Sequence, residues 1–229
     1  MIIDLHLHTT RYSPCSHLTP QDACILAIKN GLDALLITEH QIQWNEMEIK
    51  ELQNEFPEIK LYAGLEVTLS EGIDLVIITK NKGINVPFMI SFEELLNIPS
   101  LDISKSFIFV AHLFRWSNHI EFDENKIFSQ IHGIEMNSIN ILLTGYKRAK
   151  NNFYVPVQID LYNHVRDKWN LKEVYNTDSH SPLCVGTIGN YLEIDQIPED
   201  EEELISVLKT HKIYQFQNTK LLAKFLKRV

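Results

Sequence analysis

Metal-binding side chains recur in this chain at spacings that strand geometry makes meaningful. His6-Leu7-His8 and Asp178-Ser179-His180 each hold two donor residues two positions apart. On a strand such a pair points to one side, and the second pair repeats the first wherever its strand persists. Glu39-His40, Glu66 and His112 add further donors, each closing an apolar run. Two imidazoles from one strand with a carboxylate from another make an ordinary ligand set for zinc, manganese or iron. Glu66 could bridge two ions and draw a nucleophilic hydroxide between them, which is hydrolase chemistry. Taken singly, His40 or His112 would more often be a hydrogen-bonded structural residue. Donors at five strand ends at once are hard to attribute to chance.

Residues so far apart in sequence meet only if the elements carrying them run side by side. Apolar runs predict strands at 2–5, 34–37, 61–67, 75–79, 107–111, 133–136 and 174–176. Between them, amphipathic stretches predict helices at 46–56, 92–97, 124–130, 140–150, 160–169 and 201–210, with another at 220–228. Thr19 is the expected N-cap of a further helix, with Pro20 in its first position and Gly31 as its stop. Strands alternating with helices imply an α/β fold with a mostly parallel, covered sheet. About seven units in a chain of this length imply a single domain, 1–229, built as a closed or nearly closed barrel. An open doubly wound sheet is the alternative, although the first turn lacks a glycine fingerprint for nucleotides. In a barrel of parallel strands every C-terminal end opens on one face, where the donors would gather.

The rest of the composition excludes more than it assigns. The 229 residues carry a net charge of −9, so stable binding to nucleic-acid backbones is disfavoured. No apolar run is long enough to span a bilayer, and Met1-Ile2-Ile3-Asp4 lacks the basic start of a secretory signal. Three cysteines, Cys15, Cys24 and Cys184, make no disulfide framework, which together points to a cytoplasmic protein. His119, His164 and His211 read as solvent-exposed, and His132 as local structure. Glu135 and Asn137 end an apolar strand, where Glu135 could line the pocket or support a ligand.

The order and spacing of these segments resemble the polymerase and histidinol phosphatase (PHP) family of metal-dependent phosphoesterases. The resemblance spans nearly the whole chain. It rests on Asp4-Leu5-His6-Leu7-His8-Thr9, Gly31 to His40, Gly64-Leu65-Glu66-Val67, Ala111-His112, Gly133 to Asn137 and Thr177-Asp178-Ser179-His180. It implies a distorted (β/α)7 barrel with two or three divalent transition-metal ions and a small phosphorylated substrate. His6, His8, Glu66 and Asp178 would hold one ion; Glu66 would bridge to a second, shared with His112; His40 and His180 would belong to a third. Histidinol-phosphate hydrolysis, nucleotide phosphoesterase action and polymerase-linked exonuclease proofreading are the activities it brings. Two stretches depart from the family. Where a further acidic or histidine ligand often follows the H-x-H pair, this chain reads Tyr12-Ser13-Pro14-Cys15-Ser16-His17, leaving Cys15 or His17 as the substitute, with a buried small residue as the other reading of Cys15. Where a histidine often follows the bridging glutamate, Asp74 is the replacement, so the site is either dinuclear or holds its second ion weakly.

On this reading a metal-bridging hydroxide attacks phosphorus in line with the leaving alkoxide, with Glu66 and Asp178 central to catalysis. Arg115 is the candidate phosphate clamp and Arg11 a second, each against the alternative of a surface arginine. Trp44 and Trp116 lie near the expected mouth, free either to touch substrate or to pack in the core or at the rim. The segment 139–169 is the expected substrate region, although packing suits its aromatics better. Two other functions stay open: an amidohydrolase-type barrel, which usually bridges its metals with a carboxylated lysine, and a non-catalytic metal-binding module.

Overall fold

The computed structural model describes residues 1–228. All seven expected strands form: β1 (Ile2–Asp4), β2 (Ala34–His40), β3 (Lys60–Thr68), β4 (Asp74–Ile78), β5 (Phe107–Ala111), β6 (Gly133–Asn137) and, after a separate two-stranded hairpin, β9 (Lys172–Tyr175). That hairpin pairs β7 (Tyr146–Arg148) with β8 (Tyr154–Pro156). Within the main sheet the seven lie in chain order, and two strands that apolar runs did not reveal, β10 (Ile188–Leu192) and β11 (Ile213–Gln217), extend it beyond β1.

The sheet is mixed rather than mostly parallel. β1–β2, β2–β3, β5–β6 and β6–β9 pair parallel, while β4 runs antiparallel to both β3 and β5. The reason is local: a tight turn with Gly72 at φ 80° joins Thr68 to Asp74, and a connection so short cannot cross over. The strand order closes on itself through the chain after β9. Asp178 N–H donates to the His6 carbonyl and His8 N–H to that of Ser179, each at 2.9 Å. Lower in the seam a side chain does the joining. Asn190 donates to the carbonyls of Ile3 and Tyr175 and accepts from Tyr175 N–H. The barrel is therefore nearly closed.

Both faces of the strands are covered. Along β2, Ala34 and Leu36 pack in one cluster with Phe107, Phe109 and Val174, while Leu35 and Ile37 pack in another with Ala23, Ala27, Ile49 and Leu52. The second cluster is supplied by α1 (Pro20–Lys29) and α2 (Glu46–Glu55), whose starts are held by Thr19 and by an Asn45–Glu48 capping box. Leu204, Ile205 and Leu208 of α7 (Glu201–Thr210) pack into the first. Full burial of such side chains is worth about 1.5–3 kcal/mol each, which fixes the strand ends relative to one another.

One expected helix is absent. The stretch 140–150 forms only the short α5 (Ile139–Leu142) before Gly145, at φ 138°, turns the chain into the hairpin. Its leucine and basic residues favour helix, but a left-handed glycine and the pairing of Tyr146 with Pro156 override that preference.

Candidate metal centre

The donors from five strand ends converge at the C-terminal mouth. His6 and His8, which follow β1 and flank the Leu7 bridge to Ser179, bring their Nε2 atoms to 3.1 Å. Glu66, at the end of β3, stands between them and the other strands. Its Oε1 lies 3.3 Å from His6 Nε2 and 3.1 Å from His112 Nε2; its Oε2 lies 3.2 Å from His8 Nε2 and 2.8 Å from His40 Nδ1. Asp178 Oδ1 lies 3.5, 3.4 and 3.5 Å from His6 Nε2, His8 Nε2 and His180 Nδ1. The donor atoms form three overlapping groups: His6, His8 and Asp178; His6, Glu66 and His112; His8, His40 and His180.

Those separations fit metal coordination. With metal–ligand bonds near 2.0–2.1 Å, tetrahedral ligand atoms stand about 3.3 Å apart. Asp178 Oδ1 is also buried without a hydrogen-bond partner among the described residues. A bare buried carboxylate oxygen is costly unless a cation faces it.

The surrounding residues hold the ligands in orientation. Buried Glu135 accepts from His6 Nδ1–H at 3.2 Å and from the His112 backbone N–H at 3.1 Å. Asn176 donates to the same carboxylate. Ser13 Oγ lies 3.3 Å from His8 Nδ1, and Asn140 donates to Asp178 Oδ2. Glu39 points away from the cluster and ties down the loop after β1, accepting from Thr9, Ser13 and Trp44. Asp4 does the same for the segment after β9 through Thr177.

Backbone strain re-aims two of the ligands. His112 and Asp178 adopt φ 29° and 50°, in the left-handed region that non-glycine residues enter at a cost of about 1–3 kcal/mol. For Asp178 this corrects the expected strand geometry. β9 stops at Tyr175, so Asp178 and His180 are not sided by strand alternation. The left-handed backbone at Asp178 and the Ser179 bridge to Leu7 bring them in instead, with His180 Nδ1 3.1 Å from the Asp178 carbonyl.

Charge in the cluster is tightly balanced. Burial alone favours neutral His6, yet the Asp178 and Glu66 carboxylates and a Glu135 hydrogen bond hold its pKa well above 6.5. His112 follows the same pattern: burial lowers it, but Glu66 and Asp178 raise it to about 9. Burial would likewise raise Glu66 and Asp178, but the histidines around them keep both ionised well below the usual carboxylate range. His180 is pushed down to about 4 by burial and by the charge of His8.

A cleft of about 580 Å³ opens over the cluster, lined in part by His40, Glu66, Asp74, His112, Arg115, Asp178 and His180. Three expected ligands lie outside the donor groups. Cys15 lines the cleft with an exposed side chain. His17 is exposed and tied to His180 through its backbone N–H. Asp74 Oδ2 stands 3.8 Å from His112 Nδ1, and burial raises its pKa. Arg115 faces the cleft over the Trp116 ring, whereas Arg11 is committed to Glu48 and stacks on Tyr12 and Trp44. Trp44 is buried in the barrel wall. His119, His164 and His211 are exposed, and His132 Nδ1 accepts the Ile108 N–H. Sequence reasoning passed over Ser13 and Asn140, whose polar types are common in loops and carry no spacing signal. Glu39, expected as a donor beside His40, lies outside the donor groups because Thr9, Ser13 and Trp44 occupy its carboxylate.

A family model for the PHP domain matches residues 4–216. The chain belongs to the PHP domain family. This PHP domain is similar in fold to PsfC from Pseudomonas syringae, with a TM-score of 0.68 at 15% identity over 99% of this chain and 96% of that one. A two-domain protein from Bacteroides vulgatus containing a predicted PHP-like metal-dependent phosphoesterase gives 0.64 at 15% identity, over 99% and 69%. An amidohydrolase from Chromobacterium violaceum gives 0.54 at 12% identity, over 95% and 99%. No curated protein sequence matches this PHP domain. No helix among the described residues is long and apolar enough to cross a membrane.

Proposed function

We propose that this PHP domain is a metal-dependent phosphoesterase that hydrolyses a phosphate monoester or small phosphodiester. The observation that carries this reading is Glu66, whose two oxygens stand within 3.3 Å of His6, His8, His40 and His112. One carboxylate shared among four imidazoles from three strand ends suits neighbouring cations in the protein's interior.

His6, His8, Glu66 and Asp178 would hold one divalent ion, Glu66 and His112 a second, and His8, His40 and His180 a third. Zinc, manganese and iron all suit such donors. Ions bound there would supply a water of pKa near 7 and neutralise charge building on the phosphoryl oxygens. The chain's own part is to position and exclude. Glu135 keeps the Nε2 lone pair of His6 turned inward, and Asn140 steadies Asp178. Arg115 can meet two phosphate oxygens with its guanidinium fork. In the reaction the oxygen of water bonds to phosphorus as the ester P–O bond breaks. The leaving oxygen departs with the electron pair and takes a proton, releasing an alcohol with inorganic phosphate from a monoester or with a phosphate monoester from a diester.

The amide-hydrolysing alternative has less support: Glu66 occupies the bridging place, and no lysine lines the cleft among the described residues. We take the chain as one domain with its substrate region at 139–169, from which Ile139, Asn140 and Leu143 line the cleft. Three unpaired cysteines favour a reducing, cytoplasmic setting.

The test is metal content of the purified protein with phosphoester and amide turnover in zinc, manganese and iron, for wild type and Glu66→Ala. Two or more ions per chain, with phosphoester turnover lost in the variant, is the expected result. Stoichiometric metal with no phosphoester turnover would sink the proposal in favour of a binding module, and amide turnover alone would favour the amidohydrolase reading.

A further inference from the structure

Behind the cleft lies a second cavity that the phosphoesterase reading does not use. It has a volume of about 370 Å³ and sits between the end of α1, the turn 181–184 and α8 (Thr219–Leu226). The two spaces share a wall. Ser181, Cys184 and Phe225 line the cleft, while Pro182, Leu183 and the same Phe225 line the cavity.

Every charged side chain lining this cavity is a cation. Lys29, Lys224 and Arg228 converge on it, and no aspartate or glutamate joins them among the described residues. The chain as a whole carries a net charge of −9, so the local excess runs against composition. The described ion pairs of lysines and arginines also leave these three out. Like charges around one cavity repel, a cost that an anion placed among them reverses. Helix ends do not account for the arrangement. Lys29 stands in the last turn of α1, where a cation could serve open carbonyls. The carbonyls of Leu26, Ala27 and Ile28 already accept from the N–H groups of Asn30, Leu32 and Gly31 at 2.9, 3.0 and 3.1 Å.

The remaining lining is largely apolar, with Leu26, Leu183, Leu221 and Phe225 facing the cavity. Leu183 is 45% exposed, so a bare hydrated ion would leave apolar surface in water. We infer that the cavity binds a small soluble organic phosphate, its head among Lys29, Lys224 and Arg228 and its apolar body against Leu26, Leu183 and Leu221. A phosphate monoester presents three terminal oxygens and close to two charges for three cations to share, and the Arg228 fork matches two of those oxygens. A lipid surface suits the site less well, because α8 turns Leu222 and Phe225 into the core with Ile139 and Leu142. The site is separate from the metal-binding cluster, and its occupation does not depend on the phosphoesterase reading.

The experiment titrates zinc-loaded protein with n-butylphosphonate, which has no ester bond to hydrolyse, and follows backbone amide chemical shifts. Low ionic strength is used because salt screens exposed cations. Shifts at Leu26, Lys29 and Leu221 report the cavity, and those at Arg115, Trp116 and Leu143 report the cleft. Wild type should show saturable shifts at the cavity residues, with affinity about tenfold above that of methylphosphonate. Lys224→Ala and Arg228→Ala should each weaken cavity binding about tenfold, whereas Lys224→Arg should stay within about threefold of wild type. Both replaced side chains are exposed, and an unchanged cleft spectrum would confirm that the variants fold. Shifts confined to the cleft, or cavity shifts that survive in a Lys224→Ala, Arg228→Ala double variant, would overturn the proposal. Equal affinity for the two phosphonates would overturn the apolar half of the assignment. Sedimentation with phosphatidic acid vesicles completes the test: retention on them, without cavity shifts from butylphosphonate, would overturn the soluble ligand in favour of a lipid surface.

Discussion

The buried carboxylate of Glu135 accepts a hydrogen bond from Nδ1 of His6 at 3.2 Å, which leaves Nε2 of His6 facing Glu66 and Asp178. One ring nitrogen is committed to a proton so that the other keeps its lone pair for a cation. Glu135→Ala should therefore weaken metal binding about 10- to 100-fold without removing a ligand. Chelator competition would read this; an unchanged affinity in a folded variant would show that His6 does not depend on Glu135.

Arg115 has no carboxylate partner among the described ion pairs, and it faces the cleft. An arginine kept for phosphate contributes charged hydrogen bonds, so Arg115→Ala should raise KM about 10- to 100-fold. Metal content should stay at the wild-type value, since no ligand group includes Arg115. Steady-state kinetics on any good phosphoester, run beside metal analysis, would decide; an unaltered KM and kcat would return Arg115 to the surface.

Metal binding and stability should respond to pH in opposite senses. In metal-free protein the folded pKa of His112, about 9, exceeds its ordinary 6.5. A raised folded pKa stabilises fully below the unfolded value, and that contribution is lost as pH rises through the folded one. The melting temperature of metal-free protein should therefore fall between pH 6.5 and 9. Cations compete with those same protons, so metal affinity should rise over the window. Calorimetry with and without metal would reveal both trends, and a metal-free melting temperature rising with pH would contradict the charge balance drawn here.

His132 offers a pH effect independent of the cluster. Burial pushes its pKa down to about 4, and its Nδ1 accepts the Ile108 N–H at 3.2 Å, which needs the neutral ring. A depressed histidine is protonated more readily in the unfolded chain, so stability falls as pH drops from 6.5 toward 4. His132→Asn keeps an acceptor but cannot titrate, and its denaturation midpoint should fall less steeply over that range. Parallel curves for the two proteins would remove His132 as the cause.

Gly64 sets how closely β3 lies against its neighbours. A Cβ there would stand 2.9 Å from the Ile77 carbonyl oxygen and 3.0 Å from Leu36 Cδ2. Gly64→Ala should cost about 1–3 kcal/mol by forcing those contacts apart. Because Glu66 is two residues along the same strand, metal affinity should fall with it. Urea unfolding would measure the cost, and a variant as stable as wild type would mean the strand shifts freely.

Much of the site was legible because the relevant signals are local. Apolar runs marked all seven barrel strands, and the donors stand where those runs stop. His6 and His8 lie beyond the end of β1 at Asp4 and share a side because the extended chain around the Leu7–Ser179 bridge keeps the alternation. Other features escaped for equally physical reasons. The Ile188–Leu192 strand is interrupted by Gly189 and Asn190, and Ile213–Gln217 alternates apolar with polar, so neither offers a continuous apolar run. The antiparallel setting of β4 was readable in hindsight, since the turn between Thr68 and Asp74 is too short for a crossover. The helix expected at 140–150 failed because Gly145 and hairpin pairing outweighed side-chain propensity.

By itself the sequence determined the family, the barrel strands and the donor types, because each depends on periodicity or on residues a few positions apart. Only the tertiary structure decided that Glu66 meets four imidazoles, that Glu135 and Asn140 support the ligands, and that Arg115 rather than Arg11 faces the cleft. Those outcomes depend on barrel closure and on the left-handed backbone at His112 and Asp178, which aims side chains across distances that no local pattern encodes.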